Sequence, residues 1–442
     1  MTFWRLSFGV ILSLSLFVLS SCSWNKKEKT LDDGAVVKAQ VPTLRDGEYH
    51  LEIVELKTLH DLPNMRGDAA QFLVDAGTSS GKLNGRDPQI RYMRDENGVI
   101  VAKDEMSLQL LTMYAHYEKL QVLDEQAGVK GLLKYPRKVA VNARFRVPEG
   151  LLENNALYSG QYDALMVVPF TRSSLPLMAN AGVIGHEHFH AIFQKLVMDS
   201  LKETVPNPDQ STLHPVEEME SGAGLTTVIR GRGDAPNKSV ATKMDPRLEY
   251  HAAFLRAVNE GLADFWGWVY SGDDGFVGRS LPEQKMNREL EFVPDQLYSE
   301  QELMSFVNSE YDNESIRQEM IVQEAYLYGT QLARTLRNVS QLYAKGKNKS
   351  LTEIRLLMGQ KLITMLPEIQ KTYLNLKAGE FLTLSRVATL FLAQLSDMGS
   401  KECYFVVKLM PGAEQKESKL GEKCQTIEKK EKEEKPEKKD NP

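Results

Sequence analysis

Residues 181–197 read AGVIGHEHFHAIFQKLV, and within them residues 186–190 have the spacing H-E-x-x-H. Apolar residues surround this motif on both sides, which predicts a largely buried helix. Because positions four apart lie on one face of a helix, His186 and His190 can bind one metal ion together. His188 points to roughly the opposite side, so we interpret it as a packing or surface residue.

The residue after the first histidine is Glu187, which would project beside the metal. Two histidines at this spacing are typical of a catalytic zinc site, and zinc lowers the pKa of a bound water to about 7. A carboxylate here could hold that water and remove its proton. The pattern therefore predicts one catalytic Zn²⁺ with Glu187 as the general base. Such a site also needs a third protein ligand.

Residues 259–266, NEGLADFW, contain the candidate for that third ligand. Glu260 and Asp264 are four residues apart, so a helix places both carboxylates on the same face. One carboxylate can bind zinc, and the other can orient a ligand histidine through its second ring nitrogen. The competing candidates for the third ligand, which lack a paired aspartate, are Glu217, Glu218 and Glu220.

The N-E-G-x-A-D motif after H-E-x-x-H resembles the gluzincin metallopeptidases, the thermolysin and fungalysin group and their aminopeptidase relatives. The resemblance covers about residues 105–340 and implies that Glu260 is the third zinc ligand and that Asp264 supports a ligand histidine. The chain departs from the thermolysin pattern because 69 residues lie between His190 and Glu260, where that pattern has a much shorter connection. We interpret residues 199–250, which are polar and turn-rich, as an insertion.

Asn155 and Ala156 precede a strand-like run at residues 162–170. In thermolysin-like enzymes, an edge strand that contains N-A hydrogen-bonds an extended substrate by adding it to the sheet. The resemblance therefore implies that Asn155 and Ala156 bind substrate. A hairpin with a Ser-Gly turn between two strands would give much the same residues.

The same families place a donor opposite the zinc ion to stabilise the oxyanion, usually histidine in the thermolysin branch and tyrosine in the aminopeptidase branch. No histidine follows His251 in this sequence. Residues 324–333, EAYLYGTQLA, contain Y-x-x-G, which resembles the tyrosine version. It implies a catalytic role for Tyr326, with Tyr328 as the alternative. Tyrosines on an amphipathic helix more often belong to the core.

The first 22 residues predict a bacterial lipoprotein signal peptide. Their apolar stretch, residues 8–19, is too short to span a bilayer comfortably, and residues 19–22, LSSC, resemble a lipobox. Acyl chains on Cys22 would anchor the protein stably to a membrane. Ser23, at a position where aspartate would signal inner-membrane retention, favours the outer membrane, on either its periplasmic or its cell-surface side. The alternative is a secreted protein with an incidental cysteine.

The expected fold class is α+β. Two short strands, at residues 50–56 and 138–145, and a helix at residues 106–125 indicate a mixed N-terminal lobe. The later pattern is almost wholly helical, most clearly at residues 332–342, 354–365 and 382–395. This order agrees with what the resemblance implies, a thermolysin-like two-lobed zincin whose α+β lobe carries the edge strand and the zinc helix, and whose C-terminal lobe is mainly helical.

The expected division of the chain also includes its ends. Residues 425–442 have six lysines, six acidic residues and few apolar side chains, so we expect this segment to be disordered. The segments are a signal peptide at 1–22, a flexible tether at 23–44, the α+β lobe at 45–198, the insertion at 199–250, the helical lobe with the third zinc ligand at 251–424, and the tail at 425–442.

Two functions fit these features. The first is a zinc endopeptidase or aminopeptidase held at the outer membrane, with peptide or protein substrates, and the second is a non-catalytic lipoprotein that contains structural zinc or binds peptides. Glu187 favours the first, because a structural site has no use for a general base. The net charge of -6 gives no basic patch that would suggest nucleic acid. Cys403 and Cys424 could form a disulfide bond in an oxidising periplasm.

Overall fold

Strands dominate the first part of the chain and helices the second, so the fold class is α+β, as predicted. The computed structural model describes residues 36–79, 81–147, 150–201, 245–292, 297–309, 314–377, 379–395, 398–409 and 419–433. The signal peptide and Cys22 lie outside these residues, as do Glu217, Glu218 and Glu220. No helix in the described part of the chain is both long enough and apolar enough to cross a membrane.

Thirteen strands lie within the described residues before Val168. They are β1 (Val37–Arg45), β2 (Glu48–Leu56), β3 (Leu59–Asp61), β4 (Arg66–Gly67), β5 (Ala70–Ser79), β6 (Lys82–Arg86), β7 (Tyr92–Arg94), β8 (Ile100–Ala102), β9 (Arg137–Val141), β10 (Arg146–Val147), β11 (Gly150–Leu151), β12 (Ala156–Ser159) and β13 (Ala164–Val167).

The α-helices of the described residues are α1 (Glu105–Ala127), α2 (Ala181–Phe193), α3 (Pro246–Ser271), α4 (Phe276–Ser280), α5 (Lys285–Arg288), α6 (Glu300–Asn308), α7 (Glu314–Gly346), α8 (Leu351–Leu374), α9 (Leu384–Ala393), α10 (Ser400–Leu409) and α11 (Lys419–Glu433). Helix α2 continues into a wider π-helical turn at Gln194–Met198.

The strands of the described N-terminal part form two larger sheets and two two-stranded sheets, β3-β4 and β10-β11. The five-stranded sheet has the order β12-β13-β9-β5-β6, with β5, β9 and β13 parallel and both edge strands antiparallel to their neighbours. The four-stranded sheet has the order β2-β1-β8-β7. Helix α1 packs between these sheets and the helical part, with contacts to β1, β2 and β5 on one side and to α2 and α8 on the other.

The two helices that carry the metal motifs are capped by their own sequence. Asn180 accepts hydrogen bonds from the backbone of Gly182 and Val183, which satisfies free N–H groups at the start of α2. Asp245 and the following proline begin α3, and Gly272 ends it in the left-handed conformation that glycine adopts without strain. Every residue of α2 is buried, as expected for a helix that is apolar on most of its surface.

The larger hydrophobic cluster includes residues of both parts, and a smaller one lies in the five-stranded sheet. Aromatic residues of α2 and α3 meet in the larger cluster, with Phe189 stacked at a tilt on Trp266, and residues of α7, α8 and α9 complete it. The chain from Val36 to Pro442 accordingly forms one compact unit, in which the sheet-containing part and the helical part share their interior.

Part of each predicted flexible end belongs to a strand or a helix. Residues 37–44 of the tether belong to β1, where alternate residues Val37, Ala39 and Val41 are buried. Residues 425–433 of the tail belong to α11, which is linked to α10 by a disulfide bond between Cys403 and Cys424. This long-range bond fixes a segment whose local composition would otherwise favour disorder.

Several element bounds also differ from the sequence prediction. Strand β9 ends at Val141 instead of residue 145, and β13 covers only the middle of the run at residues 162–170. Helix α3 begins at Pro246, inside the predicted insertion, of which residues 202–244 lie outside the described part. Hydrophobic runs continue past the ends of strands because loop residues are buried there too.

Helices α3 and α7 approach each other closely at two glycines. A Cβ atom on Gly261 would lie 2.2 Å from the carbonyl oxygen of Gly329, and one on Gly329 would lie 2.4 Å from the carbonyl oxygen of Ala257. Gly261 follows the predicted ligand Glu260, and Gly329 is three residues after Tyr326. The crossing therefore sets the distance between two predicted site residues.

Gly261→Ala should destabilise the protein by at least about 2 kcal/mol, because the new methyl group can be accommodated only if two helix backbones separate. Urea unfolding would measure the loss. Gly77→Ala is the matched control, since a Cβ atom on Gly77 would have no heavy atom within 4 Å. Equal stability of the two variants would contradict the close helix crossing.

Candidate metal centre

Helices α2 and α3 place three potential ligand atoms around one point. The Nε2 atoms of His186 and His190 are 3.1 Å apart. The Glu260 carboxylate oxygens lie 3.3 Å from Nε2 of His186 and 3.7 Å from Nε2 of His190. Tetrahedral zinc with bonds of about 2.0–2.2 Å holds its ligand atoms about 3.3–3.6 Å apart. The separation and the chemistry of these donors therefore fit one zinc ion.

The carboxylate of Glu187 is the remaining acidic group beside these histidines. Its oxygen and the ring nitrogens of His186 and His190 all lie within 4.8 Å of one another. Glu260 approaches the two histidines more closely than this limit, from a different helix, and it is 3% exposed. Both acidic groups therefore lie close enough to the two histidines to share a metal ion with them, and the resemblance assigns the ligand role to Glu260.

Groups on α3 hold the outer nitrogens of both histidine rings. Nδ1 of His186 lies 2.9 Å from a carboxylate oxygen of Asp264, and Nδ1 of His190 lies 3.0 Å from the amide oxygen of Asn259. Contacts of this kind fix the orientation of a ligand histidine and turn Nε2 towards the metal. Asp264 lies where the resemblance implied, whereas Asn259 has a role that the sequence analysis did not assign.

Arg288 completes the centre and was not predicted. Its guanidinium group donates two hydrogen bonds, of 2.9 and 2.6 Å, to the carboxylate of Asp264. It also lies 5.3 Å from the ring centroid of Tyr326. Arg288 ends the four-residue helix α5 and belongs to no motif, so no local signal in the sequence distinguishes it from other arginines.

Charge compensation sets the protonation of the ligand groups. Burial alone would lower the pKa of His186, but the carboxylates of Asp264 and Glu260 outweigh it and raise the pKa to about 10. Burial and the charge of His186 lower the pKa of His190 to about 4, although Glu260 opposes the shift. Burial would raise the pKa of Glu260, yet the neighbouring histidines and Arg288 hold it at about 2.

Glu187 has the opposite electrostatic character. Burial raises the pKa of its carboxyl group to about 8, because the nearby positive charges compensate only part of the desolvation. The backbone N–H of Tyr158, in β12, hydrogen-bonds this carboxyl group. Its Oε2 atom is buried and has no hydrogen-bond partner among the described residues. A buried polar atom without a partner is rare in proteins and marks a position where a ligand or water is expected.

A narrow cavity of about 70 Å³ opens on these groups. Asn155 and Ala156, at the start of the edge strand β12, lie in its wall, as the edge-strand prediction requires. The other residues that line it are Asn154, Leu177, Val183, His186, Glu187, Glu260, Phe276, Val277, Leu281, Gln284, Arg288 and Tyr326.

The two candidate tyrosines have different surroundings. Tyr326 lines the cavity, and its buried hydroxyl group has no hydrogen-bond partner in the described part of the chain. Burial and the charge of Glu260 raise its pKa well above the usual value, so the hydroxyl stays protonated and can donate. Tyr328 instead packs in the hydrophobic core, edge-to-face against Phe254. The geometry favours Tyr326.

His188 belongs to a separate buried cluster on the other side of α2. Its Nε2 atom lies 2.9 and 3.1 Å from the two carboxylate oxygens of Asp124, which also accepts a hydrogen bond from Tyr135. Of the two expected roles, packing or surface, His188 has the first, and its hydrogen-bonding contact ties α2 to α1. Sequence periodicity shows only that His188 points away from the metal ligands, and its partner comes from 64 residues upstream.

Comparison with models of known protein families found no match, and none of the curated proteins matches the sequence significantly. The resemblance to gluzincins therefore rests on the sequence motifs alone.

Zinc binding should release at least about one proton per chain at pH 7. His186 is protonated in the metal-free protein because its pKa is raised to about 10, and it must lose this proton to bind zinc. Calorimetric titration with zinc, in buffers of different ionisation enthalpy, would measure the release and a stoichiometry of one. The apparent affinity should also fall as the pH is lowered.

Asp264→Asn tests whether the proton released on zinc binding comes from His186. It removes one of the negative charges that raise the pKa of His186, so it should release fewer protons and bind zinc about 10- to 100-fold more weakly. Failure of the unaltered protein to bind one zinc ion would contradict the site.

Proposed function

We propose that this chain is a zinc metallopeptidase that hydrolyses peptide bonds in peptides or proteins. The observation that carries the proposal is the free Oε2 atom of Glu187, which is buried next to a three-ligand set in a cavity bordered by an edge strand. A structural zinc site closes with a fourth protein ligand and has no use for such a group. This arrangement supports catalysis over the non-catalytic alternative.

His186, His190 and Glu260 would hold the ion. Zinc supplies Lewis acidity, which polarises a carbonyl group and makes water more acidic. Glu187 is the general base, because its carboxyl group lies beside both histidines and its buried Oε2 atom has no partner among the described residues. The hydrogen bond from Tyr158 holds its carboxyl group in place, so its other oxygen faces the cavity.

Two further groups that line the cavity, Tyr326 and Arg288, are suited to the negative charge that develops on the carbonyl oxygen. The protonated hydroxyl of Tyr326 has no competing partner among the described residues, so it can donate a hydrogen bond without breaking another. Arg288 contributes a fixed positive charge, which its pairing with Asp264 keeps in position. Both groups are buried, and electrostatic stabilisation is stronger in such surroundings than in water.

The substrate backbone would extend along β12. This strand is the edge of its sheet, and an edge strand offers backbone donors and acceptors to an added strand. Asn155 and Ala156 lie where that added strand would pass the cavity. We also propose that acyl chains on Cys22 anchor the enzyme to the bacterial outer membrane, on the strength of the lipobox-like residues 19–22.

Glu187→Gln should abolish peptide hydrolysis, with a loss of several orders of magnitude in kcat, and should leave zinc content unchanged. The amide keeps the shape of the side chain but cannot take a proton. Hydrolysis of casein or a quenched fluorescent peptide and elemental analysis would measure the two properties. Glu96→Gln, at an exposed position, is the control. If the Glu187 variant cleaved these substrates at the normal rate, the mechanism would be wrong.

Tyr326→Phe should lower kcat by roughly a hundredfold, with little change in KM, because the hydroxyl acts chiefly in the transition state. Tyr328→Phe is the matched control, as it removes the same atom from a neighbouring tyrosine outside the cavity. Steady-state kinetics on one peptide would give kcat and KM for both variants. Normal turnover in the Tyr326 variant would mean that another group donates a hydrogen bond to the oxyanion. It would not affect the assignment of the metal ligands.

A further inference from the structure

The two faces of the β2-β1-β8-β7 sheet differ in their surroundings. One face presents buried residues such as Ala39, Val41 and Ile100, and α1 covers it. The opposite face carries large apolar side chains that remain open to solvent. Leu51 and Ile53 in β2 are 57% and 59% exposed, and Met93 in β7 is 51% exposed.

The strand register places these side chains on one surface. Leu51 pairs with Pro42, and Ile53 pairs with Gln40. Ala39 pairs with Ile100, and both lie on the covered face. Successive residues of a strand point to opposite faces, so Val101 points to the open face. Its partner Met93 lies on the same face. Gln40 lies between Ile53 and Val101 on this surface, and the exposed pair of Lys38 and Glu55 lies at its edge. We call the surface formed by Pro42, Leu51, Ile53, Met93 and Val101 the apolar face.

Exposed apolar residues are concentrated here. Ten large apolar residues are exposed in the described part of the chain, and Val36, Leu51, Ile53 and Met93 are four of them. Val36 directly precedes β1, whose odd-numbered residues are buried, so it shares the side of the apolar face. Isolated exposed apolar residues need no explanation, whereas a cluster indicates an interaction surface.

The apolar face lies where the chain arrives from the predicted lipidation site. Only residues 23–35 separate Cys22 from Val36. A chain of this length spans at most about 50 Å, whatever its conformation. If Cys22 carries acyl chains in a bilayer, the sheet is held within that distance of the lipid surface at all times. Confinement of this kind raises the effective concentration of a weakly attractive surface, so even a small apolar area becomes occupied.

We propose that the apolar face rests on the lipid bilayer in which the acyl chains are anchored. Leu51, Ile53 and Met93 would insert at the boundary between headgroups and acyl chains, where apolar side chains bind. The proposal rests on lipid attachment at Cys22 but not on peptidase activity. Its occupant is a lipid surface, because the face adjoins the connection to the acyl chains.

Docking would also fix the orientation of the catalytic cavity. The hydroxyl of Tyr49, in β2, accepts a hydrogen bond of 2.9 Å from the backbone N–H of Ala181, the first residue of α2. The strand that carries Leu51 and Ile53 is thereby attached to the helix that carries two metal ligands. A docked sheet would hold the cavity at a constant angle to the membrane, which would favour substrates at the membrane surface.

Single thiol labels test this arrangement in the lipidated protein. Cys403 and Cys424 are paired and Cys22 would be acylated, so a cysteine introduced by Ile53→Cys is the only free thiol. The control is Val122→Cys, which is similarly exposed, at 54%, but lies on α1. A fluorescent label would be attached to each variant in vesicles of phosphatidylethanolamine and phosphatidylglycerol with a bilayer-embedded quencher. We expect at least a threefold stronger quenching at position 53 than at position 122.

The double substitution Leu51→Asp with Ile53→Asp supplies a second measurement. A label at Met93→Cys should be quenched in the otherwise unaltered protein and lose most of that quenching in the double variant, while Val122→Asp leaves it unchanged. Equal quenching at positions 53 and 122 would overturn docking. Shielding of the label at position 53 from solvent in the absence of vesicles would also overturn it, because a second copy of the chain would then cover this face. If the chain did not associate with membranes, both docking and lipid attachment would be overturned. Peptide hydrolysis, measured separately, tests the proposed peptidase activity.

Discussion

The buried charges between α2 and α3 constrain the rest of the structure. Asp264 contacts His186 on one side and Arg288 on the other, and Glu260 lies between the two ligand histidines. Buried charges are tolerated only when each is compensated by partners at close range. The metal-free cluster satisfies this condition, since protonated His186 and Arg288 balance the two carboxylates. Zinc would replace the proton with a larger positive charge, which the free carboxyl group of Glu187 can offset.

Such a cluster requires rigid surroundings, and the core provides them. The aromatic side chains that join α2 to α3 lie directly behind the metal ligands, so packing and ligand geometry depend on the same two helices. The glycine crossing brings α7 close enough for Tyr326 to line the cavity opened by α2 and α3. The Asp124 and His188 contact fixes the other side of α2. Helix α2 is thus held on two sides, by aromatic packing against α3 and by the contact between His188 and Asp124.

The five-stranded and the four-stranded sheet contact different parts of α2. The five-stranded sheet brings the edge strand β12 to the cavity and holds Glu187 through the backbone of Tyr158. The four-stranded sheet reaches the start of α2 through Tyr49, and its open surface faces away from α1. The two larger sheets therefore contact α2 at two places, its first residue and Glu187.

The sequence by itself determined the elements whose signals are local. Residues four apart on a helix share a face, so the spacing alone assigns His186 with His190 and Glu260 with Asp264 as pairs. Apolar periodicity likewise predicted α2, α1 and the helical second half. The order of strands and helices predicted the α+β class.

Only the tertiary structure decided what depends on distant partners. Arg288 reaches Asp264 across 24 residues of chain and Asp124 reaches His188 across 64, and no periodicity records such distances. The start of β1 is stabilised by pairing with β2, and α11 is tied to α10 through a disulfide, so local composition wrongly predicted both as flexible segments. The choice of Tyr326 over Tyr328 also required the crossing of α3 and α7. Local residue patterns specify which face of an element is buried, whereas long-range packing specifies which groups meet there.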